Sequence, residues 1–376
     1  MEPIPPQPGS SIDPSHAVGR RQVTEVARRE LLRDNNLALT DPRRMGKTVW
    51  LDLFCADPGP GLSAVKVDYE GVKTTEEFLT RTLTALRAFS SLPKRARAGL
   101  TAFFDGWEVG VGPLSVKPAL AHKSKLEMLT LAVDAVADAM PEETRLVIAM
   151  DEVPMAIDNI SSNEGADAAG QLLQTLRTLR RNQPKLGWIV CGSIGFHHVL
   201  RRCRVTEGVI NDLVNLPLGP FTDIEARELA HRLTLGIERP ATMDVTDLLA
   251  QRAGHIPFLI HALAHQLEDM GTGPLTQADV EQAFDDFVHD RDASRAVTHL
   301  VTRLDQYGDR ASLAERVLDL IALQGATPDV GLVGMGDLGS VVDDLIDDHY
   351  LTRTADGLAW RYEVLRIVWV TRRNLA

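Results

Sequence analysis

The stretch "LALTDPRRMGKTVWLDLF", residues 37–54, decides how the chain is read. "LALT" (37–40) is a short apolar run of the kind that forms a buried strand, and "GKTVWLDLFCA" (46–56) carries apolar residues at helical spacing. Gly46, Lys47 and Thr48 therefore stand at a strand-to-helix turn. At such a turn backbone N–H groups cradle phosphate, a lysine reaches the β and γ phosphates, and a hydroxyl binds Mg2+. The same pattern asks for a first glycine where this chain has Asp41. Taken alone, "GKT" reads equally well as an ordinary glycine turn into a helix.

Asp41 bears on whether the loop works. Aspartate tolerates left-handed backbone, so geometry admits it. Charge is the stronger objection: at about 6 Å and an effective dielectric of about 20, a carboxylate repels one phosphate charge by roughly 3 kcal/mol. The repulsion falls well below that if the side chain turns to solvent or pairs with an arginine. Arg43 and Arg44 either lend positive charge near the phosphates or face solvent.

Outward from the loop, four more apolar runs follow: "SAVKVDY" (63–69), "RLVIAMDE" (145–152), "LGWIVCGS" (186–193) and "LVNLPL" (213–218). Between them, residues 74–89, 125–140 and 165–182 repeat apolar positions at i, i+3, i+4 and i+7. Strands alternating with helices predict an α/β fold with a parallel sheet and crossover helices over 17–219. A Gly-punctuated alternating segment, 106–118, reads as an inserted hairpin. Beyond 219 the strands stop, and 220–295 reads as a small helical domain. Residues 296–376 read as helix, helix and hairpin, the outline of a winged helix. The Pro-rich residues 1–16 read as a disordered tail.

The formal charge of −12 argues against a general nucleic-acid coat. Three cysteines without metal spacing fit a reducing compartment, and Cys55 and Cys191 lie in apolar runs as small core residues. No apolar run approaches the roughly 18 to 20 residues of a membrane span, so no membrane partner is expected and the cytoplasm is the default.

Two further strand ends carry polar groups. Asp151 and Glu152 close a buried strand at the rim where α/β sheets bind ligands. Such an aspartate holds hydrated Mg2+ and such a glutamate orients an attacking water; the alternative is a strand end with solvated acids. Ser193 ends the next strand, either as a γ-phosphate contact or as a helix N-cap for the residues that follow.

With these pieces in order, the chain resembles the AAA+/STAND group of P-loop ATPases, in particular the archaeal-type ATPases. The resemblance rests on Gly19-Arg20, the loop from Pro42 to Thr48, Asp151-Glu152, Gly192-Ser193, "AGHIP" (253–257) and the C-terminal 296–376, and covers roughly 17 to 370. It implies a P-loop sheet domain followed by a helical lid and a winged-helix domain. Val18, Gly19 and Arg20 would border the adenine of ATP or ADP. Pro42, Arg43, Arg44, Met45, Gly46, Lys47, Thr48 and Val49 would form the phosphate loop and enter its helix. Thr48 and Asp151 would hold Mg2+, Glu152 the water, and Ser193 would be the sensor. Gly254 and Pro257 would form the lid turn, where His255 replaces a usual second glycine. His349 is either a counterpart of a histidine that contacts the β-phosphate of ADP in some relatives or a helix-end surface residue. Arg201, Arg202 and Arg204 either supply a finger to a neighbouring copy, which implies a homo-oligomer, or complement the dipole of their helix.

Retention of Lys47, Thr48, Asp151 and Glu152 favours a site that binds ATP with Mg2+. Three functions then compete. One is an ATP-dependent switch or slow ATPase that controls a protein partner or effector, a role such proteins often play in phage defence. Another is an initiator-like DNA binder using its winged helix, and a third is a nucleotide-loaded scaffold that does not hydrolyse. Residues 296–376 hold eight arginines against twelve acids, net −4, with Asp343, Asp344, Asp347 and Asp348 where a recognition helix is expected, so a protein-facing role is favoured over nucleic acid.

Overall fold

The computed structural model describes residues 2–9, 12–89, 94, 124–192, 195–290, 303–327 and 338–375. The hairpin expected at 106–118 and Ser193 lie outside the described residues. The chain packs as two compact units. One comprises Arg21–Thr40 and Trp50–Pro217; the other comprises Met1–Arg20, Asp41–Val49 and Leu218–Ala376.

The first unit is built on a five-stranded sheet. Strands β1 (Asn36–Leu39), β2 (Leu62–Asp68), β3 (Arg145–Asp151), β4 (Leu186–Cys191) and β5 (Leu213–Asn215) lie in the order β2-β3-β4-β1-β5, and every pairing is parallel. Every residue of β1, β3 and β4 is buried, which is why these runs read as continuously apolar and not as alternating. Helices α1 (Arg21–Leu32), α2 (Lys47–Ala56, whose first residues belong to the other unit), α3 (Thr75–Ala88), α4 (Lys125–Ala139), α5 (Val153–Glu164), α6 (Ala166–Asn182) and α7 (Phe196–Arg202) connect them. Caps set several starts: Thr74 accepts the Glu77 amide, and Ser124 with Glu127 forms a reciprocal capping box. Helix α5 is hidden in the sequence because "NISSNE" is polar, yet Pro154 sits in its first turn, where no N–H is needed.

Strand order creates the ligand edge. From β1 the chain crosses β4 and β3 to reach β2, whereas from β4 it crosses β1 in the opposite direction to reach β5. With right-handed crossovers these connections leave on opposite faces, so the carboxyl ends of β1 and β4 flank a topological switch point. The two ends are joined there by the Gly192 amide, which donates to the Leu39 carbonyl at 3.1 Å.

In the second unit, α8 (Asp223–Gly236), α9 (Met243–Arg252), α10 (Pro257–Asp269) and α11 (Gln277–His289) form a helical group. Then come a 3-10 segment (Arg303–Arg310), α12 (Ala311–Gln324), α13 (Leu338–Asp347), the antiparallel pair β6 (Leu351–Thr354) and β7 (Gly357–Trp360), and α14 (Glu363–Arg373). Thr327 pairs with Leu358 and extends the hairpin. Trp360 and Trp369 pack 5.5 Å apart, and the Trp369 indole donates to Asp319.

Two expectations change. Residues 2–9 are not a free tail: Ile4 is buried, its amide donates to Arg232, and a Cβ on Gly236 would strike the Ile4 backbone. Proline-rich composition hid a segment ordered by one apolar anchor and backbone hydrogen bonds. The acids at 343–348 are not all solvated either. Asp344 and Asp348 are buried, paired with Arg310 at 2.8 Å and with the Tyr307 hydroxyl at 2.8 Å.

Candidate functional site

The phosphate-loop segment belongs to the second unit and leaves β1 at the sheet's carboxyl edge. Its turn closes around Lys47, which is only 6% exposed and donates from Nζ to the carbonyls of Asp41 (2.5 Å) and Pro42 (2.7 Å). Arg44 and Gly46 take positive φ, Pro42 and Met45 are buried, and Val49 is half-buried as the helix enters the core. Thr48, the second residue of α2, is exposed at the helix's positive end. Arg43 is exposed, while Arg44 lies half-buried with its guanidinium 4.6 Å above the Phe258 ring. Packing thus claims Arg44.

Asp41 is 1% exposed, and its carboxylate accepts the amides of Leu218 (2.8 Å) and Gly219 (2.9 Å). Its negative charge is therefore directed onto backbone donors that follow β5.

Arg20, expected beside adenine, is a buried structural tie. Its guanidinium donates to the carbonyls of Leu218, Gly219 (2.8 Å) and Met45 (2.8 Å), with Pro220 at 3.4 Å, and stands 4.5 Å over the Phe221 ring. Burial lowers its pKa to about 10, against the pull of Glu225 and Asp41. Its own amide donates to Glu225 at 2.5 Å. Gly19 takes a left-handed φ of 77°, which favours glycine, and a Cβ there would also push aside the Glu225 carboxylate, 2.6 Å away. Val18 is buried beside them in sequence.

The "AGHIP" segment turns the chain between α9 and α10. Gly254 and His255 both adopt left-handed backbone, closing α9 through amides that donate to Gln251 and Ala250, and Pro257 opens α10. His255 takes the second glycine's conformation, and its carbonyl accepts the Phe221 amide at 2.9 Å. His349 also has positive φ, just after α13, as a helix-end residue does.

In the sheet unit, Asp151 ends β3 at 3% exposure, with Lys66 Nζ 3.8 Å from its carboxylate. Glu152 takes left-handed backbone (φ 57°) and begins α5, which turns the chain sharply at the carboxyl edge. Beside it, a Cβ on Gly192 would fall 2.3 Å from Pro154, so the end of β4 can approach the start of α5 only as glycine. Arg201, Arg202 and Arg204 are exposed. Arg202 pairs with Asp158 at 2.6 Å, and Arg201 contacts the His198 ring nitrogen at 3.2 Å.

No protein-family model and no curated protein matches the chain. Among solved structures it is similar to the Walker-type ATPase of Pyrococcus abyssi, with 15% identity, a TM-score of 0.64, and coverage of 94% of this chain and 96% of that one. The fold is the α/β fold of P-loop ATPases. Further matches are the ORC2 protein of Aeropyrum pernix (14% identity, TM-score 0.49, 94% and 92% coverage) and the RuvB Holliday junction branch migration motor of Thermotoga maritima (11%, 0.42, 91% and 92%). Among the described residues no helix is long and apolar enough to cross a membrane.

The sequence marks the 42–48 loop and the acids at the end of β3 as candidates, but gives no sign that Leu218, Gly219 and Glu225 hold Asp41 and Arg20. The capping pattern at Thr222 and Glu225 was legible; that Glu225 also receives the Arg20 amide was not.

Proposed function

We propose that the chain binds ATP with Mg2+ and works as an AAA+/STAND-type switch or slow ATPase that controls a protein partner. The observation that carries this reading is Lys47. Its ammonium is enclosed by the loop's own carbonyls at the start of α2, immediately after β1, an interior strand of the parallel sheet. A buried ammonium held by neutral carbonyls is a receptor for anionic oxygens that are stronger acceptors. Thr48 offers the hydroxyl for the metal. Asp151 is the acid the reading assigns to Mg2+, and Glu152, exposed enough to meet water, the one that orients it. Bound Mg2+ would supply charge neutralisation at the phosphates.

Lys47→Ala is expected to abolish Mg-ATP binding in titration calorimetry; equal affinity in the variant defeats the proposal. Glu152→Gln is expected to retain ATP while phosphate release stops, and a scaffold that never hydrolyses would show no release in either form. The archaeal-type branch, a winged helix over 296–376 and a homo-oligomer using Arg201 or Arg204 belong to this same reading. The Arg202 pairing with Asp158 leaves Arg202 the weaker finger candidate.

A DNA-binding role gains from one observation. Burial of Asp344 and Asp348 removes two acids from the surface that argued against a phosphate backbone. A cytoplasmic setting and a part in phage defence are proposals that adjacent genes would test.

A further inference from the structure

We propose that Asp41 and Arg20 form a two-sided clamp on Leu218 and Gly219, and that this clamp positions the phosphate loop and couples it to helix α8. The proposal rests on the nucleotide-binding reading and adds how that site is held.

A carboxylate needs donors and a guanidinium needs acceptors, and one backbone segment supplies both. Asp41 accepts the amides of Leu218 (2.8 Å) and Gly219 (2.9 Å), while Arg20 donates to the carbonyls of the same two residues. Both charged groups are buried, at 1% and 6% exposure, so neither has water as an alternative partner. Buried charges held this way resist displacement, because breaking one contact leaves its partner unsatisfied.

The clamp has two outputs. Arg20 also donates to Met45 at 2.8 Å, one residue before Gly46 and two before Lys47. The Arg20 amide donates to Glu225, which closes the capping box of α8 with Thr222. A rotation of α8 therefore pulls on the Arg20 backbone, and through its side chain on Met45. In the other direction, a shift of the loop on binding phosphate is transmitted to the start of α8. Asp41 is then not a damaged first glycine; it is the residue that ties the loop to the segment leading into that helix.

The decisive variant is Asp41→Gly, which restores the residue the loop pattern asks for. With Mg-ATP as the probe in titration calorimetry, we expect binding weakened about tenfold or more, since charge-assisted hydrogen bonds to two amides are lost. Arg20→Lys, which keeps the charge but cannot fork between carbonyls, should weaken binding similarly. The double variant should be no weaker than the worse single one, because each disables the same clamp. Leu318→Ala, a comparable buried loss in α12, is the control: it should lower stability and leave Mg-ATP affinity unchanged. Equal or tighter binding by Asp41→Gly, additive losses, or the same weakening in the control would overturn the proposal. Hydrogen exchange of the Leu218 and Gly219 amides supplies a second readout that needs no nucleotide. It should be slow in the natural protein and fast in Asp41→Asn, and unchanged rates would also overturn the clamp. If the natural protein binds no Mg-ATP, the failure lies with the nucleotide reading, and amide exchange still decides the clamp.

Discussion

Individual residues carry more of this fold's logic than their motifs suggest. Asp41 poses an electrostatic problem in the sequence that its hydrogen bonds resolve, by aiming the carboxylate at two amides. His261 is a second example. It is 4% exposed, its Nδ1 accepts the Gln7 amide at 3.2 Å, and burial lowers its pKa to about 4 from 6.5. A depressed histidine pKa means the unfolded chain binds the extra proton first, so this stabilisation is complete above pH 6.5 and is lost as pH falls towards 4. Full protonation should cost about 3 kcal/mol. Urea midpoints measured between pH 7.5 and 4.5 should fall, and His261→Gln should flatten that part of the pH dependence; an identical slope in the variant would show that other groups dominate.

At the scale of elements, caps explain why helices begin where they do, and one cap has a second task. Thr222 and Glu225 close a reciprocal box on α8, and Glu225 also accepts the Arg20 amide. Burial works to raise the Glu225 pKa, but amides from Thr222 and Arg20 carry it below the ordinary range. Thr222→Ala should therefore cost about 1 kcal/mol, as for a lost cap. Glu225→Ala should cost about 2 kcal/mol, because it also strands the Arg20 amide. Chemical denaturation of both variants checks the order, and equal losses would mean that the Arg20 contact contributes nothing. The strands were legible to within one to three residues because buried parallel strands are continuous apolar runs. Helix α5 and the docking of Ile4 were not, since a polar-sided helix and a single apolar anchor leave no periodic signal.

For the whole molecule, charge is the sequence property most directly tied to partners. A net −12 leaves little counterion release to drive non-specific binding to duplex DNA. The full chain should therefore show no micromolar binding of a short random duplex at physiological salt in fluorescence anisotropy. Binding that weakens steeply with added salt would instead favour the initiator-like reading, in keeping with the burial of Asp344 and Asp348.

The sequence by itself determined the parallel α/β sheet, the loop around Lys47 and the acids at the end of β3, because each depends on residues close together in the chain. Hydrophobic periodicity and strand-end chemistry are local, and local patterns can be read. Only the tertiary structure decided what Asp41 and Arg20 do. Apart from the Met45 carbonyl, 25 residues from Arg20, their partners lie 177 to 205 residues away, and those partners are backbone amides and carbonyls, together with a carboxylate already legible as a helix cap. Every residue but proline carries both backbone groups, so no side-chain pattern could mark Leu218 and Gly219 as the place where the loop is held.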